Sequence, residues 1–363
     1  MRQSLLLLFL TNLFLFSCKS GVEVDPNTNK PVNTPTTPTT PTTPATPVVK
    51  TPDQTTYTFS TLAGGAAGST DGGLAQARFS RPGSLAIDGK DRLYVMDRGN
   101  NLIRVIAPDG TVSTVKDASG KPVLVAAADG FAVDADGTIY LTEGNSVTRI
   151  SAQGVKTTLG GLASGLGSGG YQDGKGTGVR FNQPRGLLLT NPGELLVADL
   201  GNYLLRQISA DGTVSTFAGV AASGGSVADG PRSSAKFNSP FGLAMDGAKN
   251  VYVTEYFGNT VRKITPDGTV STLAGSGVAG YREGSGTGAD LNNPQGLFAT
   301  KDGYLFVAEQ SNAAIRLVTP AGKVSTIYKG KESADGFTGV VADSKGVIYF
   351  TEPNANSVHK LTP

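Results

Sequence analysis

The chain has no tryptophan, one histidine and one cysteine in 363 residues. One thiol cannot build an intrachain disulfide framework or a multi-thiolate zinc or iron–sulfur site, and one imidazole excludes any chemistry that needs two or three. Charge is sparse as well: 17% of residues are charged, and 31 basic against 29 acidic residues leave a net charge of +2. Nucleic-acid binding normally shows as a concentrated basic footprint, so no nucleic-acid partner is expected. What the chain does have is 49 glycines, 20 prolines and 38% apolar residues, a composition suited to a β protein with many turns. Length alone allows two or three ordinary domains or one large all-β domain.

Residues 1–17 hold a single basic residue, Arg2, and two apolar stretches, Leu5–Leu10 and Leu13–Phe16. This core is too short for a stable bilayer-spanning helix and has the dimensions of a secretion signal. Leu15-Phe16-Ser17-Cys18 resembles the lipobox of bacterial lipoproteins. The resemblance implies cleavage before Cys18 and acylation of its thiol and new amine, a stable membrane anchor. Residues 18–54 then form a tether that repeats Thr-Thr-Pro between Thr34 and Pro47 without apolar periodicity. Such a stretch buries no core and favours extended polyproline II, and about 36 residues at roughly 3 Å each reach up to about 100 Å from the lipid. The expected location is a bacterial cell envelope, on the surface or periplasmic face of the outer membrane.

From residue 55 to the end one pattern recurs. Its clearest copy runs Phe237-Asn-Ser-Pro240, Gly242-Leu-Ala-Met-Asp246, Val251-Tyr-Val-Thr-Glu255, Gly258-Asn259, Val261-Arg262-Lys-Ile264 and Val270-Ser-Thr-Leu-Ala-Gly275. Each apolar run is short, β-branched and bounded by turn residues, which predicts four strands per unit. Aligning the first-strand apolar residue gives Leu85, Phe131, Leu187, Leu243, Leu297 and Val340, at spacings of 46, 56, 56, 54 and 43 residues. Six such units predict an all-β, six-bladed β-propeller of four-stranded blades. The sixth unit stops before its fourth strand, and an orphan copy of that strand, residues 57–63, precedes the first unit; it should join the last blade, closing the ring and removing open edges.

These residues resemble NHL-repeat propellers: the Pro-x-Gly-Leu opening, the acidic residue after the second strand, the following Asn, the Ile/Val-Arg of the third strand and the Val-Ser-Thr-Leu-Ala-Gly fourth strand. The resemblance covers residues 55–363 and implies fold far more strongly than function, since similar propellers serve as binding platforms, sensors, lactonases and lyases.

Repetition separates scaffold from site. Asp97, Glu143, Asp199, Glu255, Glu309 and Glu352 look together like a carboxylate ring for a metal. Yet each recurs at one place per blade, ahead of Arg104, Arg149, Arg206, Arg262, Arg316 or His359. A residue used once per blade is expected to satisfy local backbone groups and pair with that cation. His359 has no nucleophile context, Gly165–Gly170 matches a dinucleotide fingerprint but opens no helix, and Asp134-x-Asp136-Gly137 lacks the later ligands of a calcium loop. No catalytic residue, metal ligand or cofactor is therefore assigned.

Departures from the repeat are more informative. Four long loops, 65–78, 160–180, 220–236 and 276–290, lead into first strands and share one face of the ring. Arg78, Arg180 and Lys236 vary within them, while Arg81, Gln183, Ser239 and Asn293 precede the inner strands and should rim the central channel. Tyr171, Tyr203, Tyr256, Phe257 and Tyr281 add aromatics able to stack on a sugar or peptide. The leading expectation is a monomeric, non-catalytic, lipid-anchored binding propeller for a protein, peptide or glycan. Its rivals are an enzyme resembling metal-dependent gluconolactonase propellers and a structural envelope spacer. Against the enzyme, the expected channel positions are Arg, Gln, Ser and Asn, with no acidic cluster outside the repeat.

Overall fold

A computed structural model describes residues 51–162, 169–331 and 336–363. The proposed signal, Cys18 and most of the Thr/Pro tether lie outside them, as does most of the Gly165–Gly170 motif. Among the described residues no helix is long and apolar enough to cross a membrane.

The repeat folds as its alternation dictates. In the fourth blade Pro240–Met245, Val251–Glu255, Thr260–Ile264 and Thr269–Ala274 pair antiparallel in sequence order. Six such sheets form the ring. The six aligned residues, from Leu85 to Val340, all fall on innermost strands. Thr58–Gly64 supplies the outer strand of the sixth blade, pairing with Ser357–Thr362 from Thr58↔Thr362 to Gly64↔Ser357. The ring is closed by its own N-terminal strand.

Four blades carry more than the expected four strands. Each long loop runs outward and lays a two-residue strand against the edge of the blade it precedes: Gly72–Gly73, Gly174–Lys175, Gly230–Pro231 and Gly284–Ser285 pair with Val112, Val214, Val270 and Val324 and the residues before them. The loops therefore cover outer edges, which is one way a sheet avoids pairing with another chain. The second and sixth blades remain four-stranded.

The core lies between blade faces. Leu196, Ala198, Leu205, Phe237, Leu243 and Val253 pack the third blade on the fourth. At the channel the inner strands approach so closely that the glycine of the Pro-x-Gly motif has no room for a Cβ: one added at Gly186 or Gly242 would collide with the carbonyl of Phe241 or Gln295 on the next blade. That constraint explains the recurrent glycine and leaves the preceding variable residue as the one able to carry a side chain at the channel.

Alternate seams carry an additional hydrogen-bonded device. Thr142, Thr254 and Thr351 each donate across to the carbonyl of Arg185 (2.9 Å), Gln295 (2.7 Å) and Gly83 (2.6 Å) on the following blade. Beside them Asn145, Asn259 and Asn356 accept from the backbone N–H of Gln183 (2.8 Å), Asn293 (3.0 Å) and Arg81 (3.0 Å). Met96, Ala198 and Ala308 stand where the other blades have this Thr. Three alternate seams thus carry a Thr–Asn pair in addition to the apolar packing that joins every neighbouring pair of blades.

Candidate functional site

The acidic residues of the second strands are buried inside their own blades. Arg104, Arg206, Arg262 and Arg316 donate to Asp97 (3.1 Å), Asp199 (3.0 Å), Glu255 (3.2 Å) and Glu309 (2.9 Å), all with fully buried side chains. Their Nη groups also reach loop carbonyls, so each guanidinium ties a long loop to its blade: Arg262 donates to Lys236 O (3.0 Å), Ala228 O (2.9 Å) and Asp229 (2.7 Å). Among the described residues the four Nε atoms have no hydrogen-bond partner. Instead the guanidiniums of Arg104, Arg206 and Arg262 sit 5.2–5.3 Å from the ring centroids of Phe79, Phe181 and Phe237, where cation–π attraction substitutes. Burial raises the carboxyl pKa values against the pull of these partners, and pushes Asp199 up to about 6. In the sixth blade His359 Nε2 lies 3.1 Å from Glu352, and burial holds its pKa below the ordinary histidine value.

The second blade breaks the pattern. Its turn after Glu143 is shorter, so the position facing the acid is Thr148 and not Arg149, which pairs opposite Tyr140 and is exposed. Lys156 takes over the ion pair with Glu143 at 2.6 Å.

Several loop residues selected from the sequence serve the same blade scaffold. Arg78 and Arg180 donate to neighbouring carbonyls, at 2.8 Å to Ala77 O and Val179 O, and their own carbonyls accept from Arg104 (2.8 Å) and Arg206 (3.2 Å). Lys236 plays the same backbone role for Arg262. Tyr171 and Tyr281 lie over Arg206 (5.0 Å) and Arg316 (4.9 Å) and bond Thr216 (3.0 Å) and Thr326 (3.1 Å) of the fourth strands, away from the channel. Tyr203 is the left-handed residue (φ 60°) that ends the turn Leu200–Asn202.

The channel mouth is assembled elsewhere. A cavity of about 480 Å³ opens there, lined by Arg81, Gln183, Tyr256 and Phe257, and also by Arg98, Asp129, Arg185, Phe241, Gln295 and Gln310. Ser239 and Asn293 are not in this lining: Ser239 is 4% exposed, and Asn293 braces the rim by donating to Tyr256 O (3.0 Å). Arg81, Gln183, Ser239 and Asn293 all hold φ between 49° and 59°, as does their counterpart Ala127 (49°) in the second blade, so this left-handed kink belongs to the repeat.

Two positions per blade supply most of the lining. One is the variable residue of Pro-x-Gly, giving Asp129, Arg185, Phe241 and Gln295; the other follows the second-strand acid, giving Arg98, Tyr256 and Gln310. Asp129 is held between Arg98 and Arg185, one carboxylate oxygen to each guanidinium. Burial, with the nearby Arg98 charge, lowers the Arg185 pKa, although a guanidinium stays charged at neutral pH. Aromatics and amides complete the lining, with the Arg185 guanidinium 5.9 Å from the Phe241 ring centroid. Tyr256 packs edge-on to Phe257 (centroids 4.8 Å apart) and against Phe241 (5.7 Å). Gln310 Oε1 accepts from both Tyr256 Oη and Gln295 Nε2, each at 2.7 Å.

This donor set does not fit a divalent cation. Calcium takes six to eight oxygens, carboxylates prominent among them, whereas the one carboxylate among the described residues of this lining is bound to two guanidiniums and the Gln295 and Gln310 amides bond each other. Among the described residues no three His, Cys, Asp or Glu side chains cluster to hold a metal. Calcium or zinc at millimolar concentration is expected to leave the melting temperature unchanged; a chelator-reversible rise with stoichiometric uptake would contradict this.

No family model matches the chain. NHL repeat-containing protein 2 from Gallus gallus is 26% identical over 309 residues, 73% of this chain and 42% of that protein. The chain spans less than half the length of each curated relative it matches. Among solved structures, a Bacteroides thetaiotaomicron protein of unknown function is 19% identical with a TM-score of 0.62, covering 84% of this chain and 75% of that one. An auxiliary nutrient binding protein from Bacteroides ovatus is 13% identical with a TM-score of 0.62, covering 85% and 77%. A gluconolactonase from Xanthomonas campestris is 15% identical with a TM-score of 0.55, covering 78% and 86%. At these identities the solved structures share the fold alone. The repeat-containing relatives and the closed six-bladed ring together support an NHL-type propeller.

Proposed function

We propose that this chain is a lipid-anchored, non-catalytic propeller of a bacterial cell envelope that captures a soluble ligand at its channel mouth. One observation carries the reading: a cavity of about 480 Å³ in which guanidiniums, amides and aromatic rings from different blades converge. Concave sites of a few hundred Å³ with a few fixed polar groups beside aromatic walls are the usual form of a small-molecule site. The lipobox-like Leu15–Cys18 and the Thr/Pro tether support anchoring, and the likeness in fold to auxiliary nutrient binding proteins agrees with capture at an envelope. A purely structural spacer has no use for a mouth whose lining differs at every blade.

The reading is tested by screening the purified protein against a panel of glycans and peptides, with Tyr256→Ala beside it. Tyr256 contributes ring area and a hydroxyl to the mouth while lying outside the buried blade pairs. A ligand bound by the wild type and weakened about tenfold or more in Tyr256→Ala is expected, the loss typical of a well-placed aromatic anchor. Equal binding by both proteins would place the ligand elsewhere.

A further inference from the structure

The second blade lacks a part that four others have. In those four the short edge strand of the preceding loop opens on an acidic residue and a glycine: Asp71-Gly72, Asp173-Gly174, Asp229-Gly230 and Glu283-Gly284. Each acid accepts from a threonine of the fourth strand: Asp71 from Thr114 N–H (3.2 Å), Asp173 from Thr216 N–H (3.2 Å), Asp229 from Thr272 Oγ1 (3.0 Å) and Glu283 from Thr326 N–H (2.7 Å). Asp71 and Asp229 also accept from the buried Arg104 and Arg262, each at 2.7 Å.

In the second blade the receiving half of this device is present without the inserted half. The pairs Thr148↔Thr158 and Ile150↔Lys156 repeat Arg104↔Thr114 and Ile106↔Val112 of the first blade. Thr158 therefore stands where Thr114 receives Asp71, and Lys156 where Val112 pairs with Gly72. Among the described residues nothing pairs with the outer edge of Lys156 to Thr158; the bridge this strand makes outside its blade lies further on, from Gly160 to Gly176. Lys156 Nζ makes two of the contacts that arginine makes elsewhere, to Glu143 (2.6 Å) and to Leu124 O (3.1 Å), the latter matching Arg104 on Arg78 O. Arg104 goes on to meet Thr70 O and Asp71 of the inserted strand, and Lys156 has no such partners among the described residues. An ammonium carries three N–H donors, so one is left for an incoming acid.

The flanks of this edge differ to match. Val155 is 61% exposed where the capped blades have Thr111, Thr213, Thr269 and Lys323. Leu124 is 65% exposed where they have Arg78, Arg180, Lys236 and Asp290. Two positions that are polar in every capped blade are apolar and solvent-facing here. A strand edge without a partner is a template for an extended segment of another chain, with side-chain pockets setting its sequence. The sixth blade is different, because Thr61, at the place of Thr158, has its hydroxyl 3.2 Å from His359 Nδ1.

We propose that the outer edge of the second blade docks an extended segment of a partner protein, with Asp-Gly or Glu-Gly at its centre and an apolar residue beside it. The glycine pairs at Lys156, the acid meets Thr158 and the Lys156 ammonium, and the apolar residue covers Val155 and Leu124. None of these residues lines the channel mouth, so the surface is independent of capture there.

The probe is the chain's own cap, a labelled peptide of residues 66–77, titrated into the full-length protein by fluorescence anisotropy. Binding in the micromolar-to-millimolar range is expected, and the same peptide with Asp71→Asn should bind about fivefold or more weakly, the loss of a charge-assisted hydrogen bond at a partly exposed site. In the protein, Thr158→Pro removes the outward N–H while leaving the pairing with the third strand, and should abolish binding. Leu124→Arg combined with Val155→Thr places on the exposed flanks the residue types that capped blades carry; it should weaken binding at an unchanged melting temperature and stands in if Thr158→Pro does not fold. No binding at millimolar peptide, equal affinity for the Asp71→Asn peptide, or binding untouched by the flank changes would overturn the proposal. Sedimentation showing a wild-type dimer that the flank changes dissociate would assign the edge to a second copy and overturn the partner segment.

Discussion

A chain lacking residues 51–64 is expected to lose about 4 kcal/mol or more of stability, a large part of the 5–15 kcal/mol typical of a domain, and about 10 °C or more in melting temperature. The segment Thr58–Gly64 is the outer strand of the sixth blade, hydrogen-bonded along Ser357–Thr362. Ala63 is buried, and Phe59 stacks on Tyr328 at 4.5 Å. Removing it uncovers the Ser357–Thr362 edge, a template for pairing with another chain. It also loosens the neighbouring seam, where Thr351 bonds Gly83 and Asn356 bonds Arg81. Calorimetry and gel filtration should show an earlier, broader transition and higher oligomers, with partial rescue by an added peptide of residues 51–64. A truncated protein with an unchanged, sharp transition would mean that closure is not what holds the ring.

The second large effect is expected at the buried blade pairs. Arg262→Met keeps the volume and removes the guanidinium, leaving Glu255 fully buried without its cation and freeing three loop acceptors. Breaking one side of a buried pair costs about 3–5 kcal/mol, far more than the pair itself is worth against an apolar replacement. Urea unfolding should report that loss, and Glu255→Gln added to Arg262→Met should recover part of it. Arg149→Met is the control: although it follows a second-strand acid in the repeat, it is exposed and should cost less than about 0.5 kcal/mol. If both variants behave alike, the internal pairs do not carry the blades.

Arg149 also shows where the sequence stops being legible. The strand pattern fixes which residues face inward, because alternation of period two admits no slack within a strand. The turn at Gly144-Asn145 is two residues shorter, Glu143 pairing with Ser146 where Asp97 pairs with Leu102, and only backbone pairing reveals that the position facing Glu143 is Thr148, one residue before Arg149. The six recurrent asparagines likewise look equivalent, yet Asn100, Asn202 and Asn312 bond their own blade's acid at 2.8, 2.8 and 3.1 Å, while Asn145, Asn259 and Asn356 reach across a seam. The alternating threonines before Glu143, Glu255 and Glu352 were a visible sign of that division.

The site is legible only in part for a related reason. Residues that satisfy the scaffold must recur in type, so they stand out in an alignment of the blades. Residues that meet a ligand recur in position but not in type. Asp129, Arg185, Phe241 and Gln295 all occupy the x of Pro-x-Gly or its counterpart, the position a repeat consensus discards. The long loops were an attractive signal, and they turn outward to cover blade edges. Arg81 and Gln183 are legible because they precede the inner strands, whereas Tyr256 and Phe257 are legible only as loop aromatics, a class that includes Tyr171, Tyr203 and Tyr281, which are not in the lining.

The central claim is that ligand capture occurs at the channel mouth. Hydrogen exchange of the protein with and without a ligand from the binding panel tests it most directly. Slowed exchange confined to the turns at 96–101, 181–186, 239–242, 254–258 and 309–311 is the predicted result. Protection on the opposite face, at the tight turns around 108–110 and 266–268, with the mouth unchanged, would contradict the account.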